Sequence, residues 1–384
     1  MSNPASEPFI AIACGGTGGH LFPGIAVAGV LRDKGCQVML LVSEKSVDQQ
    51  SLKAADGLEV TTLSAVALQE GQARNAISAS WDSFRMLSRM FRKRKPNAVL
   101  AMGGFTSAAP ILAGKLAGAT TFLHEANSIP GRANRWLSPF VDQVFISFSM
   151  AALRLRNRSV MLTGMPVRPQ FPETEPGAAC RIALSLRPDD PVLLITGGSQ
   201  GATSVNSLVC EALPLFKEAM PSLQFIHLTG TEDVEKVRRA YKSNDLRAAV
   251  FPFLTEMELA LGAATVAVTR AGASSLAEMA AMHLPAILIP YPWAADDHQY
   301  FNARSFADSG AARLMPQRNL TAKALAVAVL ELIHNADARE AARRALDKWF
   351  FPNAATDIAN KIFRSIDRNS GIVDEQSKLS LNPR

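Results

Sequence analysis

Two glycine-rich turns stand where backbone chemistry on an anion could occur. Cys14-Gly15-Gly16-Thr17-Gly18-Gly19-His20 follows the apolar run Phe9 to Ala13, and Gly197-Gly198-Ser199-Gln200-Gly201-Ala202 follows Val192 to Thr196. A turn of this kind between a strand and a helix lets N–H groups approach a phosphate, where the helix N-terminus adds about half a positive charge. Such a turn is as often a tight connection with no ligand, but two in matching positions favour the phosphate reading. The first lacks the third glycine of a dinucleotide fingerprint, because Leu21 follows where that glycine would stand, and no P-loop lysine motif occurs. A third turn, Thr269 to Ser275, leads into a helix that carries Glu278. A carboxylate there can accept hydrogen bonds from both ribose hydroxyls. Taken alone, Glu278 reads more plainly as a first-turn glutamate that stabilises the helix dipole.

A proton acceptor completes the set. His20, directly after a phosphate-type loop, is the first candidate for a general base, because a histidine's ordinary pKa lies near neutrality, with Glu125 beside His124 as the second. The structural alternatives are a helix-start histidine bonded to backbone and a satisfied strand-end pair. His227, His283 and His334 have no cluster spacing, and no Asp-x-Asp or CxxC occurs, so no metal site is expected.

These residues need a scaffold. The chain has 384 residues, more than one core usually organises, which predicts two domains and a cleft. Its 48% hydrophobic and 19% charged residues suit a globular protein. Short apolar runs followed by glycine turns and helical patterns predict parallel sheets with crossover helices. Strands are predicted at Phe9 to Ala13, Gln37 to Val42, Ala98 to Ala101, Thr120 to Leu123, Val192 to Thr196, Leu223 to Leu228, Thr265 to Thr269 and Ala286 to Pro290. Six prolines between Met165 and Pro191 mark a linker region, with the boundary set near Arg168. The net charge of +6 favours anionic partners without choosing among phosphate, lipid and nucleic acid. Four cysteines without pairing or metal spacing, and an N-terminus without a secretory pattern, predict a cytoplasmic protein. The longest nearly charge-free stretch, Met279 to Ala295, holds three prolines, so membrane contact is expected to be peripheral.

The glycine turns, Met102-Gly103-Gly104, His124-Glu125, Arg270-Ala271-Gly272-Ala273 and His298-Gln299-Tyr300-Phe301-Asn302-Ala303 resemble, in the same order, the motifs of the MurG glycosyltransferases, over about Phe9 to Phe363. The resemblance implies an α/β fold of GT-B architecture, two Rossmann-like doubly wound domains facing a cleft. It implies an N-terminal acceptor-binding, membrane-facing domain (1–167), a C-terminal UDP-sugar domain (168–350), a helix over 351–368 returning to the first domain, and a polar tail (369–384). The implied reaction is inverting transfer of N-acetylglucosamine from UDP-N-acetylglucosamine to lipid I, at the cytoplasmic face of the membrane, without cofactor, metal or nucleic acid. Leu254 would hold uracil, Glu278 the ribose, and Ser199 with Ala273, Ser274, Ser275, Leu276 and Ala277 the diphosphate. Gln299 would contact the transferred sugar, while Thr17, Gly18, Gly19, Asn127 and Arg168 match other substrate positions. Met165, Ala126 and Phe105 depart from the family pattern, replacing asparagine, glutamine and tyrosine.

Other readings stay open. A UDP-sugar 2-epimerase shares the architecture; a non-catalytic nucleotide-sugar scaffold would lack His20 or the Ser199 loop; a nicotinamide enzyme would use Glu44 but lacks its fingerprint. Trp81, Phe84, Leu87 and Phe91 recur at helical spacing among Arg85, Arg89, Arg92, Lys93, Arg94 and Lys95. That pattern fits an anionic bilayer surface, or a core-facing helix with a solvated basic end.

Overall fold

The computed structural model describes residues 7–15, 18–44, 57–64, 73–171, 177–198 and 201–369. Thr17 and Ser199, both assigned to substrate above, lie outside the described residues. The first half runs β1 (Phe9–Ala13), α1 (Gly18–Asp33), β2 (Gln37–Ser43), β3 (Glu59–Leu63), α2 (Ala73–Lys93), β4 (Ala98–Ala101), α3 (Ala108–Leu116), β5 (Thr120–Glu125), α4 (Arg132–Leu137), β6 (Gln143–Ile146) and β7 (Val160–Leu162). The second half runs α5 (Gly177–Ala183), β8 (Val192–Thr196), α6 (Thr203–Ala219), β9 (Gln224–Leu228), α7 (Val234–Ser243), β10 (Ala248–Phe251), α8 (Met257–Ala263) and β11 (Val266–Thr269). It continues with α9 (Ala273–Ala281), β12 (Ala286–Leu288), α10 (His298–Asp308), β13 (Ala312–Leu314), α11 (Ala322–His334), α12 (Ala336–Leu346) and α13 (Ala354–Asn369).

Among the described residues the strands form two all-parallel sheets, ordered β3-β2-β1-β4-β5-β6-β7 and β10-β9-β8-β11-β12-β13. Parallel sheets bury both faces, which is why β1 is apolar throughout and β8 apolar up to the buried Thr196 at its end. Side chains alternate between the two faces. In the first sheet Phe9, Ala11, Met39, Leu41 and Val99 join Leu87 and Phe91 of α2 on one side. Ile10, Ile12, Leu40 and Leu100 join α1 and α13 on the other, where Ile358, Ala359 and Ile362 are fully buried.

The core on one face of the second sheet, with Val192, Leu194, Ile226 and Leu288, reaches across to residues that follow strands of the first. Ala126, Phe148, Met165 and Phe171 share one buried cluster with Leu276, Ala303 and Phe306. Trp349 stacks on Phe306 at 4.3 Å between ring centres and touches Phe148 at 5.3 Å. Met165 and Ala126 therefore replace polar family residues where the surroundings are apolar; the Met165 sulfur still accepts from the Ser147 hydroxyl at 3.7 Å.

The apolar stripe of α2 faces inward. Leu87 and Phe91 are buried and Phe84 half-buried, so of that stripe Trp81 alone is exposed. Arg94 is engaged at home as well: it bonds Glu59 at 2.7 Å and Gln37 at 2.6 Å and lies over the Phe9 ring. Arg85, Arg89 and Lys93 remain on the outer face, along a shallow groove with Met86 and Met90.

Candidate active site

Strand order reverses between β1 and β4 in one sheet and between β8 and β11 in the other. In open parallel sheets ligands bind at the carboxyl ends of the strands, at such a reversal. Here the two reversals face one cleft of about 920 Å³, lined by Gly18, Gly19 and His20 from one side and by Gly198, Gly272 and Glu278 from the other.

His20 sits in the second residue after the start of α1's first turn, with its ring against the Gly103-Gly104 peptide. Gly104 has a φ of +80°, and a Cβ there would lie 3.0 Å from the ring's Cε1, so only glycine permits both the backbone turn and the histidine. Pro23 lies within α1 and cannot donate to the carbonyl of Gly19, four residues earlier. That carbonyl instead accepts from the Ser274 hydroxyl of the opposite domain at 3.0 Å. A proline inside a helix thus supplies an acceptor on the cleft wall.

Glu125 is surrounded by donors. Its Oε1 accepts from the backbone N–H and side-chain amide of Asn127 at 2.8 and 3.2 Å. Its Oε2 accepts from the Gly131 N–H at 3.0 Å and the Asn134 amide at 2.7 Å. Burial raises its pKa above the usual carboxylate value, although these hydrogen bonds pull the other way. Four donors occupy the lone pairs of this carboxylate, which holds the loop from Asn127 to Asn134 in shape. Its neighbour His124 is fully buried, bonds the Gly164 carbonyl at 3.1 Å, and is held neutral by burial, with its pKa pulled down to about 4.

On the other wall α9 begins at Gly272, which caps it without a side-chain bond. The amides of Ala273, Ser274 and Ser275 are the first three of the helix and need partners from outside it. Leu276 differs: its N–H already donates to the Gly272 carbonyl at 3.0 Å and its side chain is in the core. Neither Leu276 nor Ala277 lines the cleft. Glu278 does line it, half-buried, and burial pushes its carboxyl up to about 7 against the opposing pull of the Arg168 charge. Arg168 is clamped between the Phe22 and Phe171 rings, each at 4.7 Å, and donates to the Thr255 carbonyl at 3.0 Å. Its buried Nε has no partner among the described residues. Leu254, half-buried, lies one residue from that carbonyl.

Gln299 accepts at its amide oxygen from the N–H groups of Ala271 and Tyr291, at 3.3 and 3.0 Å, which leaves its NH₂ group as the donor for a ligand. Motif reading assigned no role to Arg270, Asn134 or Asn302. Arg270 donates to the carbonyls of Ile289 and Pro290 and to the Ser204 hydroxyl, tying the turn before α9 to the segment after β12 and to the first turn of α6. Desolvation lowers its pKa to about 10, so it stays cationic at neutral pH. Its place in the turn Arg270-Ala271-Gly272-Ala273 is the local signal in the sequence. Among the described residues, no three His, Cys, Asp or Glu side chains converge.

Two doubly wound domains presenting glycine turns and a helix N-terminus across one cleft define the GT-B architecture. Residues 10–146 match the glycosyltransferase family 28 N-terminal domain, and residues 192–361 its C-terminal domain. The chain is 36% identical over 342 residues to the UDP-N-acetylglucosamine--N-acetylmuramyl-(pentapeptide) pyrophosphoryl-undecaprenol N-acetylglucosamine transferase of Pelobacter propionicus, covering 84% of this chain and 90% of that one. The crystal structure of Acinetobacter baumannii MurG superposes with a TM-score of 0.71 at 27% identity, covering 93% of this chain and 99% of its own. A putative UDP-N-acetylglucosamine 2-epimerase from Listeria monocytogenes has a TM-score of 0.69 at 14% identity, covering 96% and 98%, a likeness of fold alone. The chain belongs to the MurG family of glycosyltransferase family 28.

Proposed function

We propose that the chain transfers N-acetylglucosamine from UDP-N-acetylglucosamine to the 4-hydroxyl of the N-acetylmuramyl unit of lipid I, giving lipid II and UDP. The observation that carries this reading is the asymmetry of the cleft. One wall offers three helix-start amides, Glu278 and Arg168 for a nucleoside diphosphate; the other offers His20 beside a glycine pair. Relatives named for this reaction span nearly the whole chain.

In the proposed step the acceptor oxygen forms a bond to the anomeric carbon as the bond from that carbon to the β-phosphate oxygen breaks. His20 takes the hydroxyl proton. The negative charge that develops on the diphosphate meets the α9 amides, already aimed and costing no reorganisation. No acid is needed on the leaving group, because a terminal phosphate with a second pKa near 6 departs as an anion. Leu254 backbone holds the base, Glu278 the ribose, and the Gln299 NH₂ the sugar. Incubation with radiolabelled UDP-N-acetylglucosamine and a lipid I analogue is expected to yield labelled disaccharide lipid. Release of epimerised free sugar without acceptor would select the epimerase instead.

A lipid-linked acceptor stays in the bilayer, so the protein must meet the cytoplasmic leaflet. No helix among the described residues is long and apolar enough to cross a membrane. The proposed contact is the outer surface of the helical layer over the first sheet. Arg85, Arg89 and Lys93 lie there with Trp81, and the same layer exposes Leu116, Trp136, Phe140 and Leu153. Lys115 ties the end of α3 to the Phe140 carbonyl, which joins these parts into one surface. Apolar anchors among cations suit an anionic headgroup layer.

A further inference from the structure

We propose that Asn302 is a positioning residue that couples the donor loop of one domain to the acceptor-side loop of the other, so that a nucleoside diphosphate in the first orders the second. The proposal rests on the donor site assigned above. Asn302 is fully buried. Its Oδ1 accepts from the backbone N–H and the hydroxyl of Ser128, both at 2.9 Å and 174 residues away in the chain. Its Nδ2 donates to Asn127 Oδ1 at 3.0 Å and to the Ala271 carbonyl at 3.2 Å. A primary amide has two acceptor lone pairs and two N–H donors, and here all four are engaged.

Both ends of this amide lead to a site. Asn127 and Ser128 begin the loop that Glu125 holds through Asn127 and Gly131. Ala271 immediately precedes Gly272, the cap of α9, whose first amides are the proposed diphosphate donors. Gln299 and Asn302 are three apart on α10 and share a face. Gln299 receives the Ala271 N–H while Asn302 donates to the Ala271 carbonyl, so that face grips residue 271 by both of its backbone polar groups. A ligand that shifts residue 271 must move a planar, fully bonded amide, and the same amide fixes Ser128.

The test is amide hydrogen exchange at residues 127–131 with and without UDP, in the full-length protein. The wild type is expected to show roughly tenfold slower exchange there when UDP binds, the usual scale of coupling between sites. In Asn302→Ala, UDP should still bind to the α9 amides and Glu278, while the protection of residues 127–131 disappears. Turnover should fall roughly tenfold or more with little change in the KM for the UDP-sugar. Should Asn302→Ala not fold, Ser128→Ala removes one bond to the same oxygen and should reduce the protection in part. Full protection in either folded variant overturns the coupling, as does wild-type UDP binding that leaves the loop's exchange unchanged. Failure of the wild type to bind UDP would overturn the donor site itself, and the coupling with it.

Discussion

Glu125 and Glu278 are carboxylates on opposite walls of the same cleft, and burial raises the pKa of each. Their partners differ. Glu125 has four protein donors, whereas Glu278 accepts no hydrogen bond from the described residues and feels the Arg168 charge on one side and the Glu258 carboxylate on the other. A satisfied carboxylate organises a loop; one without donors is set to receive them from a ligand. In the proposed site, the contrast separates a carboxylate that shapes a loop from one that meets a ligand.

Glu125 carries the largest expected effect. Glu125→Ala leaves four donors without an acceptor, and unfolding free energy should drop by about 3 kcal/mol or more. Denaturant unfolding that stays at the wild-type midpoint while turnover vanishes would return Glu125 to the role of base. With Glu125 occupied, His20 is the remaining candidate: His20→Ala should lower turnover by about 10²-fold and leave UDP affinity nearly unchanged. Near-normal turnover would contradict that assignment. Glu278→Ala should weaken UDP binding by about 1–3 kcal/mol in calorimetry without loss of melting temperature. An unaltered affinity would remove the ribose role. The effect smallest per residue lies on the outer helical layer. Changing Arg85, Arg89 and Lys93 to glutamine should weaken sedimentation with anionic vesicles by about 1 kcal/mol per charge at low salt. Turnover on a soluble acceptor analogue should stay the same, and unchanged sedimentation would place the membrane contact elsewhere.

Much of this organisation is legible in the sequence because it is local. The runs that form β1, β8 and their neighbours are apolar on both faces, and the glycine turns follow them directly. The edge strands β3, β10 and β13 escape that reading: β3 is Glu-Val-Thr-Thr-Leu with one buried residue, β10 is four residues of which one is buried, and β13 is three residues with Arg313 at its centre. β6 is only four residues, too short to signal against its surroundings. In the site, the position of Glu278 after a glycine turn is a local pattern. The saturation of Glu125 depends on Gly131 and Asn134, and the grip of Asn302 on Ser128 joins distant parts of the chain. The apolar stripe of α2 fits a membrane or a core equally well by spacing; the sheet beneath it decided for the core.

In the proposed donor site Glu278 is a ligand-binding carboxylate held near its titration point. UDP affinity measured by calorimetry from pH 5.5 to 8.5, for the wild type and for Glu278→Gln, tests it most directly. The free carboxyl has a pKa of about 7, and ribose hydroxyls that donate to its ionised form lower that value on binding. Affinity should therefore rise with pH up to about 7 and level off above it, with proton release on binding near neutrality. UDP's own phosphate ionisation contributes to both proteins alike, so the account predicts a steeper rise in the wild type than in Glu278→Gln. Parallel curves for the two proteins would contradict it.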